Sequence, residues 1–316
     1  MSTPKRPADF ACSTAARARG DQLVGTAPPA RRWFLVEQPG GWGATAWAGL
    51  DVAAPMKDLL QGVLNLAEAR LMLIRRPGHG RDTVTGGGRR RWCVVDPLAP
   101  RRVRWGVADS DADVLRAAEL FAGANPELNE LEPVKVSPGE PELLMVCTHG
   151  RKDVCCATRG RPVAARAAEL WPEATWECTH TGGDRFAGNL LLLPDGACYG
   201  GIDPESVEAI VRAHVAGRVD PTQLRGPTGH PAWVQAAAVA AYRQMGPLRW
   251  DQVHPISEGS DGEQWRVVLD VDEVGLVEVT GHQRVTEADF LTCKADLPKR
   301  MLLAVVDDLR PLAAVD

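Results

Sequence analysis

At 316 residues, 45% hydrophobic and 24% charged, the chain has the composition of an ordinary globular protein and the length for two or three domains. Its longest apolar run, around Leu190–Pro194, is far too short to span a bilayer, and the opening MSTPKRPADFACSTAARARG has no apolar core of signal-peptide length; a cytoplasmic location is expected. A net charge of −5 and a pI near 5.9 argue against a nucleic-acid binder.

The charge is uneven. Residues 1–130 hold 18 Lys+Arg and 14 Asp+Glu, whereas residues 131–316 hold 18 and 27. The basic runs RRRW (89–92) and RRVRW (101–105) lie beside strand-like residues, so they read as solvated hairpin faces rather than phosphate contacts. The acidic second half suits docking on a basic redox partner.

In chain order, RWFLVEQ (32–38) reads as a buried strand, and MKDLLQGVLNLAEARL repeats apolar residues at helical spacing. Three strands follow, LMLIR (71–75), RWCVVD (91–96) and RVRWGV (102–107), then the helix DADVLRAAELFAG with its N-cap near Asp111. The stretch ANPELNELEPVKVSPGEPE, rich in Pro and acidic residues, reads as a linker. ELLMVC (142–147) is a strand, and RPVAARAAELW (161–171) is a helix with Pro162 in its first turn. TWEC (175–178), NLLLLP (189–194) and ACYGGI (197–202) are short strands. DPESVEAIVRAHVAG (203–217) is a helix capped by Asp203.

Both halves share one order: strand, helix, three strands, helix. That order predicts an α/β protein with two thioredoxin-like units in tandem, over residues 1–130 and 131–217. A smaller α/β extension is expected over 218–316, with HPAWVQAAAVAAYRQMG as an amphipathic helix and an antiparallel pair turning at Asp272–Val274.

The chemistry sits in two stretches, CTHGRKDVCCATRG (147–160) and WECTHTGGDRFAGN (176–189). In a reducing compartment, clustered cysteines point to metal or redox work rather than structural disulfides. Cys147 ends a strand, and Cys156 follows across a polar loop. Cys178 and His180, two apart at a strand end, are expected to share a side. The glycines of TGGD let backbone approach whatever His180 faces. A Cys-plus-His set suits zinc or an iron–sulfur cluster of mixed ligation. Of the adjacent pair, Cys155 is expected to be buried and turned away. Cys12, Cys93, Cys198 and Cys293 read as scattered, buried small hydrophobes. His149 reads as a loop cap or hydrogen-bond donor, and His214, His230, His254 and His282 carry no assignment. The first unit has no ligand set of its own and is expected to cover the second or to bind a redox partner.

These two stretches resemble the signature of the sucrase/ferredoxin-like proteins of actinobacteria and fungi. CSTAARARGDQLVGTAPPARRWFLVEQPGGWG and LRGPTGHPAWVQAAAVAAYRQMG resemble further segments of that family. The resemblance implies a thioredoxin-like ferredoxin carrying a [2Fe–2S] cluster. Fungal relatives hold it with a C-x8-C pair followed by H-x-G-G-H. Cys147 and Cys156 match the cysteine pair and His180 the first histidine, whereas Asp184 stands where the second histidine would be. The expected ligands are Cys147, Cys156, Cys178 and His180, with Asp184 as the competing fourth donor or as a hydrogen-bond partner of His180. The expected role is an electron carrier serving a redox partner protein, with no membrane and no nucleic acid, rather than an enzyme with its own substrate. The competing readings are a zinc-stabilised interaction domain and a thiol–disulfide oxidoreductase; the second lacks a C-x-x-C motif.

Overall fold

The computed structural model describes residues 5–78, 89–99, 102–131 and 136–312, and shows a mixed α/β protein with two sheets. The linker residues 132–135 and the glycines 86–88 before the first arginine run lie outside the described residues.

After α1 (Cys12–Arg19) come β1 (Arg32–Glu37), α2 (Ala46–Gly49), α3 (Ala54–Leu66), β2 (Ala69–Arg75), β3 (Arg90–Val95), β4 (Val103–Ala108) and α4 (Asp111–Ala122). The middle of the chain supplies β5 (Leu143–Cys147), α5 (Val154–Leu170), β6 (Thr175–Cys178), β7 (Leu190–Leu193), β8 (Ala197–Tyr199) and α6 (Val207–Val215). The rest holds β9 (Leu224–Pro227), α7 (Ala232–Gln244), β10 (Val253–Ser260), β11 (Gln264–Val271), β12 (Gly275–Val285) and β13 (Leu302–Pro311).

One sheet runs β4-β3-β1-β2-β6-β5-β7-β8-β9. In its first half β1 pairs parallel with β2 and antiparallel with β3, which pairs antiparallel with β4. In its second half β5 pairs parallel with β6 and antiparallel with β7, which pairs antiparallel with β8. The halves are therefore topologically equivalent. They meet edge to edge at β2 and β6, through Ile74 opposite Cys178 and Arg75 opposite Glu177. An exposed strand edge is a liability; here each half covers the other's. The seam is fixed by a half-buried ion pair, with Arg75 Nε donating to Glu177 Oε2 at 2.7 Å and Thr148 Oγ1 donating to the same oxygen at 3.0 Å.

Three elements differ from the sequence reading. Helix α5 begins at Val154, not at residue 161, because Asp153 caps it: its Oδ1 accepts from Cys155 N at 2.9 Å. Pro162 thus sits inside the helix rather than in its first turn. Helix α6 starts at Val207, since Asp203 closes the preceding turn by its backbone carbonyl instead of capping with its side chain. Helix α4 is capped by Ser110 in a reciprocal box with Asp113, one residue before the expected position.

Helix α7 is the fourth difference. Val234 through Tyr242 are all buried, so it has no solvent face. It lies between β9 of the large sheet and the small antiparallel sheet β10-β11-β12-β13, in one continuous core. An alanine-rich helix fits that place because small side chains let sheets approach from two sides. The hairpin turning at Asp272–Val274 is present, with Val271 opposite Gly275. Among the described residues, no helix is long and apolar enough to cross a membrane.

Candidate metal centre

The parallel pair β5–β6 ends with Cys147 and Cys178 in register. Beyond Cys147 the chain turns through His149–Asp153 and enters α5, whose first turn carries Cys155 and Cys156. This helix lies very close to the end of β5. A Cβ on Gly160 would stand 2.1 Å from the Cys147 carbonyl oxygen, so only glycine permits the contact. That close packing places Cys156 beside Cys147.

The other side of the site is the turn after β6. The strand stops at Cys178, so the alternation of side chains does not carry on to His180. Donor atoms of Cys147, Cys156 and His180 all lie within 4.8 Å of one another. Asp184 stands beside this group, with Oδ1 at 3.2 Å from Cys156 Sγ and 2.9 Å from His180 Nδ1. The second contact has ion-pair distance without hydrogen-bond alignment, and His180 Nδ1 has no aligned hydrogen-bond partner among the described residues. Cys178, fully buried, lies outside the converging donors and packs in the core with Met72, Trp176 and Cys198.

The electrostatics favour anionic donors. The Cys156 thiol, against the penalty of burial and helped by His180, holds Cys147 well below the usual thiol range. Cys156 is pushed up, by Cys147 and by burial. Burial pulls His180 down, but Asp184 and Cys147 outweigh it and raise the imidazole to about 9. Burial works against Asp184 as a carboxylate, and His180 more than compensates, so its carboxyl sits below the ordinary range. Burial first, and then the neighbouring Cys147, pushes the Cys178 thiol well above its usual range. Protons therefore sit among donors that a metal would compete for.

Residues outside the motifs hold the turn. Arg225 is 1% exposed, and its guanidinium donates to Gly182 O at 2.9 Å, Asn189 Oδ1 at 2.8 Å and Thr26 Oγ1 at 3.0 Å, and to the Thr26 carbonyl. Gly183 has φ +72°, and a Cβ there would strike the Arg225 guanidinium at 2.5 Å. Arg70, on β2, donates to His180 O at 2.6 Å. His149 ties the two halves: its Nε2 must donate to Gly43 O (2.7 Å), which leaves Nδ1 to accept from His180 N (3.1 Å). That pattern requires the neutral ring, in keeping with the downward pull of burial on His149. The loop-cap reading of His149 is thus too local. Nothing in the spacing of Arg70, Arg225 or Gly43 signals these contacts, since each partner is 36 residues away or more.

A family model described as sucrase/ferredoxin-like matches residues 23–226. The chain belongs to the sucrase/ferredoxin-like family. Altered inheritance of mitochondria protein 32 of Meyerozyma guilliermondii is 31% identical over 80 residues, which cover 22% of this chain and 28% of that relative. No solved structure matches the chain. The sucrase/ferredoxin-like span holds β1 to β8, most of β9 and all five candidate ligands, and its Cys, His and Asp groups are compatible with metal binding.

A second group lies partly outside that span. Cys12, Asp153, Cys155 and Cys293 are all buried, with donor atoms within 4.8 Å of one another. Cys155 does turn away from Cys147, as expected, but towards these partners. Cys12 and Cys293 are buried as expected, yet they are not scattered: their sulfurs are 3.5 Å apart. Sequence reasoning missed this group because its cysteines are separated by 138 residues or more.

Proposed function

We propose that the protein is an electron carrier with a [2Fe–2S] cluster held by Cys147, Cys156, His180 and Asp184. The observation that carries the reading is the convergence of two thiols and an imidazole on one buried point, completed by a carboxylate that touches two of them. Thiolate and imidazole are usual ligands of such a cluster, so Cys147, Cys156 and His180 would hold it, with Asp184 supplying an oxygen donor in place of a second imidazole. When bound, the cluster supplies one-electron transfer.

The chain's own residues supply the rest. Asp184 occupies the position of the second histidine in the family motif and is favoured over Cys178, because its carboxylate touches Cys156 and His180, whereas Cys178 is a thiol raised by burial. Burial of Cys147 and Cys156 shields the sulfurs from water. His180, with 24% of its side chain exposed, is the donor nearest solvent and the natural point of electron exit. Arg151 and Lys152, both exposed, put positive charge beside that edge, so the face a redox partner presents there is expected to be acidic. This local charge is opposite in sign to the net charge of the second half.

The test is anaerobic purification followed by visible absorption and analysis of iron, acid-labile sulfide and zinc. A red-brown protein with equal iron and sulfide, two of each per chain, is the expected result. A colourless protein that stays colourless after reconstitution with iron and sulfide overturns the reading. Zinc bound at Cys147, Cys156 and His180 would then make the site structural.

A further inference from the structure

We infer that Cys12, Cys155 and Cys293, with Asp153, form a second metal site, for a thiophilic divalent cation of the zinc class, that fastens the N-terminal and C-terminal segments to α5. The three sulfurs come from the start of α1, the first turn of α5 and the segment between β12 and β13. Cys155 Sγ and Cys293 Sγ are 3.4 Å apart, and Cys293 Sγ and Cys12 Sγ are 3.5 Å apart. At Zn–S bonds of about 2.3 Å, a tetrahedral site separates its sulfurs by about 3.8 Å. The observed triangle needs only a slight opening to admit the ion.

The surroundings are built for anionic sulfur. Cys12 and Cys155 both sit in the first turn of a helix, so two helix N-termini converge on the group. Helix α1 has no side-chain cap; instead Cys12 N donates to Cys293 Sγ at 3.4 Å. Backbone N–H groups that point at sulfur are typical support for a metal-bound thiolate. Asp153 is rigidly placed, because its two oxygens accept from Cys155 N at 2.9 Å and Cys293 N at 2.7 Å. Each oxygen keeps a lone pair, and Oδ1 already meets Cys12 Sγ at 3.5 Å. A disulfide would use two of the three sulfurs and leave the third, whereas one ion uses all three. On binding, each thiol gives up its proton to solvent, and no electron changes hands.

The site is separate from the proposed cluster site and is tested separately. The Cys147→Ser/Cys156→Ser chain, which lacks the other thiol pair, is titrated with Co2+ as a spectroscopic stand-in for zinc. The expected result is one Co2+ per chain with thiolate-to-cobalt charge-transfer absorption, lost when Cys12→Ser and Cys293→Ser are added. Unaltered full-length protein, zinc-loaded or stripped, is alkylated in parallel in mild denaturant, and zinc is expected to protect Cys12, Cys155 and Cys293. The proposal is overturned by a cobalt spectrum indifferent to Cys12 and Cys293, by equal alkylation with and without zinc, or by a disulfide among the three in protein purified without air. The alkylation arm uses the native sequence, so a misfolded variant does not spare the proposal.

Discussion

Cys156 Sγ lies 3.2 Å from Asp184 Oδ1. This contact joins the first turn of α5 to the turn after β6, and it separates the two candidates for the fourth ligand. Asp184→Ala is expected to lose most of its iron, whereas Cys178→Ala keeps iron and costs only about 1 kcal/mol of stability from a small packing defect. Iron and sulfide per chain in the two purified variants check this; iron loss on the Cys178 side alone would reverse the assignment.

Gly160 sets the approach of α5 to β5. Gly160→Ala must push the helix away from the Cys147 carbonyl, which a Cβ would meet at 2.1 Å. The expected cost is about 1–3 kcal/mol, as for other overpacked sites. Because the shift also moves Cys156, cluster content should fall by more than the loss of stability alone explains. Thermal melts alongside iron analysis separate the two effects.

Arg225→Ala strips hydrogen bonds from Gly182 O, Thr26 and the buried Asn189. Leaving such groups unpaired is expected to cost about 3 kcal/mol or more. The melting midpoint should drop by roughly 5–10 °C. A midpoint within error of the parent would mean that the turn does not depend on this clamp.

Asp195 contributes a pH dependence of its own. Burial opposes its ionised form, but His214 Nε2 at 3.2 Å and Arg102 Nη1 at 2.9 Å outweigh that and hold its pKa below the ordinary 3.8. A carboxylate with a depressed folded pKa contributes stability that is full above its unfolded value and is lost as pH falls through the folded one. Asp195→Asn should therefore be less stable than the parent near neutral pH, and the gap should close below about pH 3.8. Chemical denaturation of both proteins from pH 7 to pH 3 measures it, and a gap that stays constant contradicts the assignment.

Ser110 is the plainest local test. Its side chain accepts from Asp113 N while Asp113 answers at the Ser110 N–H. Ser110→Ala is expected to cost about 1 kcal/mol, visible in the denaturation midpoint, with iron content unchanged because α4 packs on α3 and β4, away from the β5 and β6 ends.

Much of this protein is legible in its residues. The apolar runs at strand spacing and the helical repeats mark nearly every element of both halves, because local burial imposes local periodicity. The motifs bring Cys147, Cys156, His180 and Asp184 to attention for the same reason: they lie in two short stretches whose loops leave one end of one sheet. What local pattern could not decide is which neighbour each side chain meets. Asp153 starts α5 early, which a proline at 162 conceals. The end of β6 at Cys178 cuts the alternation that would have paired that thiol with His180. The burial of α7 on every face depends on a second sheet that begins only after the helix has ended, at Val253. Arg70 and Arg225, which hold the turn after β6, and the three thiols gathered from both ends and the middle of the chain, make contacts between distant segments. Only the folded chain decides such contacts, because they carry no period and no fixed spacing along the sequence.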